Sequence, residues 1–178
     1  MAPHSPLPLD PIAEARRHWI AHGWSDAADG MAAFSSVMRA QQIMYARVDA
    51  VLRPFGLSYA RLEMLRLLSF TRDGALPLAS ASARLQVHPT SITNVVDRLE
   101  KDGLIRRAAH PSDGRATLAV MTDKGRELAE RATVVLNDEV FSDPGIPAGD
   151  LRRMTGILAK FRHDSGDFTD PEPHPEPL

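Results

Sequence analysis

The sequence predicts a mainly helical chain with one small β-hairpin, and three observations lead there. Apolar residues recur at steps of three and four through 26–53, 89–101 and 148–163, the spacing of one face of an α-helix. Two short β-like runs, 104–108 and 116–120, flank the turn-forming stretch His110-Pro111-Ser112-Asp113-Gly114-Arg115. The 14 prolines sit mostly at the two ends and at a few punctuating positions, which leaves the middle free to be helical.

The elements follow in order. Residues 1–11 are Pro-rich, lack periodicity and read as a disordered N-terminus. A short helix over 12–22 places Ile12, Ala15 and Trp19 on one face and stops at Gly23. A long helix over 26–53, with Asp26 or Asp29 as its cap, carries Phe34, Met38, Gln41, Tyr45, Val48 and Leu52 in one stripe widened by Val37 and Met44. Such a stripe either crosses the chain's own core or packs against another subunit. Pro54 and Gly56 end it. Ser58 caps the next helix, with Arg61 at the capping-box position and an apolar face of Leu62, Leu65 and Leu68. Leu76–Leu78 reads as one short strand, and Ser80 or Ser82 opens a small helix through Leu85.

Residues 86–103 carry most of the information. Pro89 suits the first turn of a helix, where a missing N–H costs nothing. The helix 89–101 buries Ile92, Val95, Val96 and Leu99 and shows Thr90, Ser91, Thr93, Asn94, Asp97, Arg98 and Lys101 on its other face. Asp102-Gly103 is a left-handed stop. The hairpin follows. A helix from 122 to about 137 carries Leu128, Ala132 and Val135 on one side, and a last helix over 148–163 presents Leu151, Met154, Leu158 and Phe161. From 164 the chain turns acidic and Pro-rich and reads as a disordered tail, 164–178.

Composition bounds the function. The 178 residues are 43% hydrophobic, enough for one core. Without cysteine there is no disulfide framework, thiolate metal site or thiol redox switch. No apolar stretch approaches the ~20 residues of a membrane helix, and the N-terminus lacks the basic and apolar regions of a secretory signal. The expectation is a cytoplasmic protein with no membrane partner. Net charge is −2, yet the tail 164–178 holds five Asp/Glu and no Lys/Arg, so the remainder is +3. Residues 84–126 hold eight Lys/Arg against five Asp/Glu, a modest basic patch.

A short helix, a tight link and a helix with small polar residues at its start are what a groove-reading element needs. The major groove is ~12 Å wide and admits one helix; Asn pairs bidentately with adenine and the Thr methyl packs on thymine. Polar residues early in a helix are also, more blandly, its solvated face. The hairpin tips the balance: a tip bearing Arg115 beside such a helix is the wing of a winged helix-turn-helix. An Arg there suits the narrow, electronegative minor groove, and Asp113 can hold it extended by a charge-assisted hydrogen bond. The bland alternative for Asp113-Gly114-Arg115 is an ordinary charged turn.

Residues 57–126 resemble the winged-helix region of the MarR family of bacterial transcription regulators. The resemblance is carried by Thr90-Ser91-Ile92-Thr93-Asn94-Val95-Val96-Asp97-Arg98-Leu99-Glu100-Lys101-Asp102-Gly103-Leu104-Ile105, by Pro111-Ser112-Asp113-Gly114-Arg115, and by Leu118 through Thr122-Asp123-Lys124-Gly125. Met121-Thr122 replaces the commoner Leu-Thr. Flanking helices extend the likeness over 26–163. The resemblance implies N-terminal and dimerisation helices over 12–56, a winged DNA-binding domain over 57–121 and C-terminal dimerisation helices over 122–163. It implies a homodimer reaching successive major grooves of a pseudo-palindromic operator in double-stranded DNA. A small-molecule effector, seated between the dimerisation helices and the winged domain, would shift a repressor between DNA-matched and mismatched forms.

Thr90, Ser91, Thr93 and Asn94 are the expected groove contacts, with His88 and Pro89 opening the helix near a phosphate. Arg98 either meets a phosphate or pairs with Asp97 or Glu100. Arg84 and Arg106 either touch backbone phosphates or are solvated. Arg115 is the minor-groove residue, supported by Asp113. His18 and His22, at i and i+4, form a possible zinc pair without a third ligand. Trp19 and Trp24 read as packing residues ahead of a ligand clamp. No phosphate-loop, dinucleotide or nucleophile-elbow motif occurs, so neither an enzyme nor a cofactor is expected. The alternative of another class is a winged-helix adaptor that binds protein and no DNA.

Overall fold

The computed structural model describes residues 6–86, 88–113 and 116–169. The chain divides into two compact units, Met1–Val48 and Asp49–Leu178. The division falls inside a helix, and all the elements after it, the last two helices included, belong to the second unit.

The first unit holds α1 (Pro11–Ala21) and most of α2 (Ser25–Leu52). Helix α1 begins one residue earlier than the periodicity suggests, because the Asp10 carboxylate accepts the Ile12 N–H at 3.0 Å and Pro11 needs no partner there. Asp29 does not cap α2. It lies within that helix and accepts from Arg16 Nε at 2.6 Å. Ala28 and Val48 are buried, but Phe34, Val37, Met38, Met44 and Tyr45 of the predicted stripe are exposed in the single chain.

The second unit continues α2 through a 3-10 turn (Arg53–Phe55) into α3 (Tyr59–Ser69), β1 (Ala75–Pro77), α4 (Leu78–Leu85), α5 (Pro89–Lys101), β2 (Ile105–Ala109), β3 (Thr117–Met121), α6 (Asp123–Leu136), a π turn (Asn137–Phe141) and α7 (Ala148–Asp164). Two start signals are corrected: α4 begins at Leu78 with Pro77 as its cap rather than at Ser80 or Ser82, and Ser58 caps α3 by backbone alone. The hairpin strands lie one residue later than composition suggests, paired Ile105 to Met121 through Ala109 to Thr117. The short strand is part of the same sheet. β1 pairs antiparallel with β3, giving the order β1-β3-β2.

The core sits between α3, α4, α5, α6 and the sheet. It comprises Leu62, Met64, Leu65 and Leu68 of α3, Ala81 of α4, Ile92, Val96 and Leu99 of α5, and Ile105, Ala119 and Met121 of the sheet. The buried stripe of α6 is Gly125, Ala129, Ala132 and Leu136, one position round from the Leu128 and Val135 expected. The reason is close approach: a Cβ on Gly125 would stand 2.0 Å from the Leu104 carbonyl oxygen. The tail expected from 164 is bonded in its described part. Asp164 ends α7, Ser165 N–H donates to the Phe161 carbonyl at 3.1 Å, and Asp167 N–H to that of Arg162 at 3.0 Å. Residues 1–5 and 170–178 lie outside the described residues.

Candidate nucleic-acid interface

Helix α5 is held at both ends by its own sequence. The His88 imidazole accepts the Thr90 N–H through Nδ1 at 3.3 Å, so it caps the helix, a role that requires that nitrogen to be unprotonated. The ring is thereby engaged with the start of the helix that His88 and Pro89 open. At the far end, Gly103 N–H donates to Glu100 O and Leu104 N–H to Leu99 O, each at 2.9 Å, with Gly103 at φ 70°. This is the Schellman pattern, in which a left-handed glycine satisfies the last carbonyls.

Ile92, Val96 and Leu99 are at most 2% exposed, and Val95 is half-buried. That stripe turns the opposite face outward, so Thr90, Ser91, Thr93 and Asn94 are all exposed, with Arg98 and Lys101 further along the helix. Nothing in this face is longer than an Asn until Arg98, so a helix-sized groove is admitted to the first turns. Arg84 and Arg106 are exposed as well. Asp113 is exposed near the hairpin tip, where its carbonyl accepts the Ala116 N–H at 3.0 Å. Arg115, and with it the Asp113–Arg115 pairing, lies outside the described residues, as does the side chain of Pro89.

The carboxylates offered to Arg98 belong to another cation. Arg107 of β2 reaches back over α5, donating through Nη2 to Asp97 Oδ1 at 2.5 Å and through Nη1 to Glu100 Oε2. Its backbone N–H also donates to Glu100 Oε1 at 2.9 Å. The backbone and then the side-chain hydrogen bonds from Arg107 hold the Glu100 carboxyl below its ordinary 4.5. The Asp97 hydrogen bond in turn raises the Arg107 guanidinium above its usual value. Residue-by-residue reading missed this clamp. The signal was Asp97 and Glu100 at i and i+3, which share a helix face, with an Arg on the strand after the stop.

A second anchor joins the exit of α5 to α6. Thr122 Oγ1 donates to the Gly103 and Leu104 carbonyls at 2.9 and 3.0 Å and accepts the Gly125 N–H at 3.1 Å. Lys124 Nζ donates to the Asp102 carbonyl at 2.7 Å, and the Asp102 carboxylate pairs with Arg61. Helix and hairpin are therefore one bonded body.

The other candidates resolve differently. Trp19 and Trp24 meet edge to face at 5.3 Å, and His22 stacks on Trp24 at 5.7 Å. His22 Nδ1 lies 2.8 Å from the His18 carbonyl oxygen of its own helix. Among the described residues no three His, Asp or Glu side chains gather as a metal set. No described helix is long and apolar enough to cross a membrane.

The family model described as MarR family matches residues 57–117. The HTH-type transcriptional repressor Rv2887 of Mycobacterium tuberculosis is 34% identical over 98 residues, 55% of this chain and 69% of the repressor. Among solved structures, Sco5413, a MarR family transcriptional regulator from Streptomyces coelicolor, is 46% identical, with TM-score 0.71 over 79% of this chain and 97% of its own. Sco3205 of the same organism, solved in complex with DNA, shares the fold at 22% identity and TM-score 0.66, over 74% of this chain and 88% of its own.

Proposed function

Since the chain belongs to the MarR family of transcription regulators, we propose that it acts as a homodimeric repressor whose Thr90, Ser91, Thr93 and Asn94 read the major groove. As a member of that family it regulates transcription and is not an enzyme. The carrying observation is the exposed face of small polar residues on α5, set on a buried Ile92-Val96-Leu99 stripe and clamped to the hairpin by Arg107. Arg98, Lys101, Arg84 and Arg106 supply phosphate contacts, and the N-terminus of α5 at His88 and Pro89 faces the backbone. Arg115, positioned by Asp113, reads the minor groove. Two copies would engage half-sites about 34–36 Å apart, one turn of DNA.

The wide stripe of exposed apolar side chains on α2, together with Ile157 and Phe161 on α7, supports the homodimer. Phe34 is 59%, Met38 60% and Ile157 70% exposed in the single chain. A repressor role is supported by the name of the Mycobacterium relative, and response to a small-molecule effector by the family resemblance. A ligand that favours the mismatched dimer ~100-fold weakens operator binding by about 2.7 kcal/mol.

The test is selection of bound duplexes from a genomic pool, followed by affinity at fixed salt. The expected result is an inverted repeat with half-site centres one turn apart. Arg115→Ala is expected to weaken binding to it and leave the dimer mass unchanged. Binding that ignores salt concentration, or no recovered duplex, would favour the protein adaptor instead.

A further inference from the structure

Gln86, the residue that ends α4, has φ 52°, and it is the only non-glycine among the described residues with a left-handed backbone. That conformation is disfavoured for any residue bearing a Cβ, and it sits in the link of residues 86–88 between the two helices of the helix-turn-helix. The Gln86 carboxamide is held by the end of α7. Its Nε2 donates to the Asp167 carbonyl at 3.1 Å and to Asp167 Oδ1 at 2.9 Å, and its Oε1 accepts from Arg162 Nη2 at 3.1 Å. Arg162 Nε donates to Asp167 Oδ2 at 2.6 Å, which closes a ring of three side chains.

The C-terminal side of this ring has its own support. Gly166, at φ 79°, turns the chain back after α7. The Arg162 guanidinium lies 5.4 Å over the Phe168 ring, and His163 meets the same ring edge-on at 5.7 Å. A strap therefore runs from the last turn of α7 to a point three residues before Pro89. Were Gln86 only a turn residue, glycine would serve better, with no strain and no side chain to fix. The strained glutamine is instead the residue whose carboxamide has its oxygen and its nitrogen both matched.

We infer that Gln86, Arg162 and Asp167 are positioning residues for DNA recognition: they set the entry of α5 into the groove by tying the α4–α5 turn to the C-terminal end of α7. The inference rests on the DNA-binding reading, and the three residues act through α5 rather than on DNA. They also give the C-terminal helix, which exposes Ile157 and Phe161, a mechanical link to the reading head.

Gln86→Gly and Asp167→Ala separate this role from a merely structural one. Glycine relieves the backbone, and Asp167 lies beyond the last helix, so neither change removes a core contact. Affinity is read by fluorescence anisotropy at one salt concentration, on the duplex the parent selects and on a scrambled duplex. Each variant is expected to lose about threefold to tenfold on the selected duplex and to match the parent on the scrambled one. Gln86→Gly should melt at or above the parent temperature, and the double variant should lose no more than the worse single one. Parent affinity for the selected duplex in both variants, or equal losses on both duplexes, overturns the strap. A parent that selects no duplex overturns the DNA reading and the strap together.

Discussion

Arg107 makes three hydrogen bonds to two carboxylates of α5, and its partner Glu100 is the more informative end. Because the folded carboxyl is held below 4.5, the pairing contributes stability above the unfolded value and loses it as pH falls through the folded one. Glu100→Gln is therefore expected to lower the melting temperature at neutral pH, with the gap to the parent closing below about pH 4.5 in thermal scans. Gly125 is the other residue with no freedom. Gly125→Ala drives a methyl into the Leu104 carbonyl and is expected to cost about 3 kcal/mol or more in urea titration, the upper range for overpacking. The Arg107 clamp was hidden in the sequence for a geometric reason. Arg98 follows Asp97 directly and is two residues from Glu100, and such neighbours do not face each other on a helix. The chain must reverse at Gly103 before an arginine can approach those carboxylates. The capping role of His88 was likewise hidden, because residue type does not show that a ring nitrogen accepts from its own helix.

Helices were legible where their ends carry unambiguous chemistry. Pro89 and Gly103 bound α5, and the structure places it at Pro89–Lys101 as the residues suggest. Thr122 was legible as the start of α6 but not as a donor to two carbonyls at the exit of α5. Thr122→Ala is expected to cost about 1–2 kcal/mol in chemical denaturation, the upper part of the range for a lost cap, because the hydroxyl proton shared by the Gly103 and Leu104 carbonyls goes with the cap, although Leu104 keeps the Thr122 N–H. The buried face of α6 was misread because periodicity weighs Leu128 and Val135 as large and apolar, whereas the close approach of Leu104 selects glycine at 125 and turns the face carrying Ala129 inward. The short strand was visible as a strand, but its pairing with β3 depends on a chain reversal that composition does not specify.

Among the described residues, exposed apolar side chains run along α2 and recur on α7 at Ile157 and Phe161, and the α2 stripe was readable in its i, i+3, i+4 spacing. What covers it was not, since one stripe suits either an intramolecular core or a second subunit. The proposed homodimer makes a direct prediction. Ile157→Asp, at a position 70% exposed in the single chain, is expected to raise the dimer dissociation constant about tenfold or more in sedimentation equilibrium. A dimer unchanged by that charge would place the interface elsewhere. The division of the chain inside α2 was likewise beyond the sequence, because a continuous helix gives no punctuation where one unit passes into the next.

The Ile92-Val96-Leu99 stripe has a consequence for how such a regulator diversifies. Stability resides on one side of α5 and in its two end anchors, and the prospective base-reading side chains lie on the other, so the two can drift separately. Replacing Thr90, Ser91 and Asn94 as a block should retarget the protein to new promoters while the buried stripe that holds the helix is untouched, which makes this scaffold suited to gene duplication followed by rewiring.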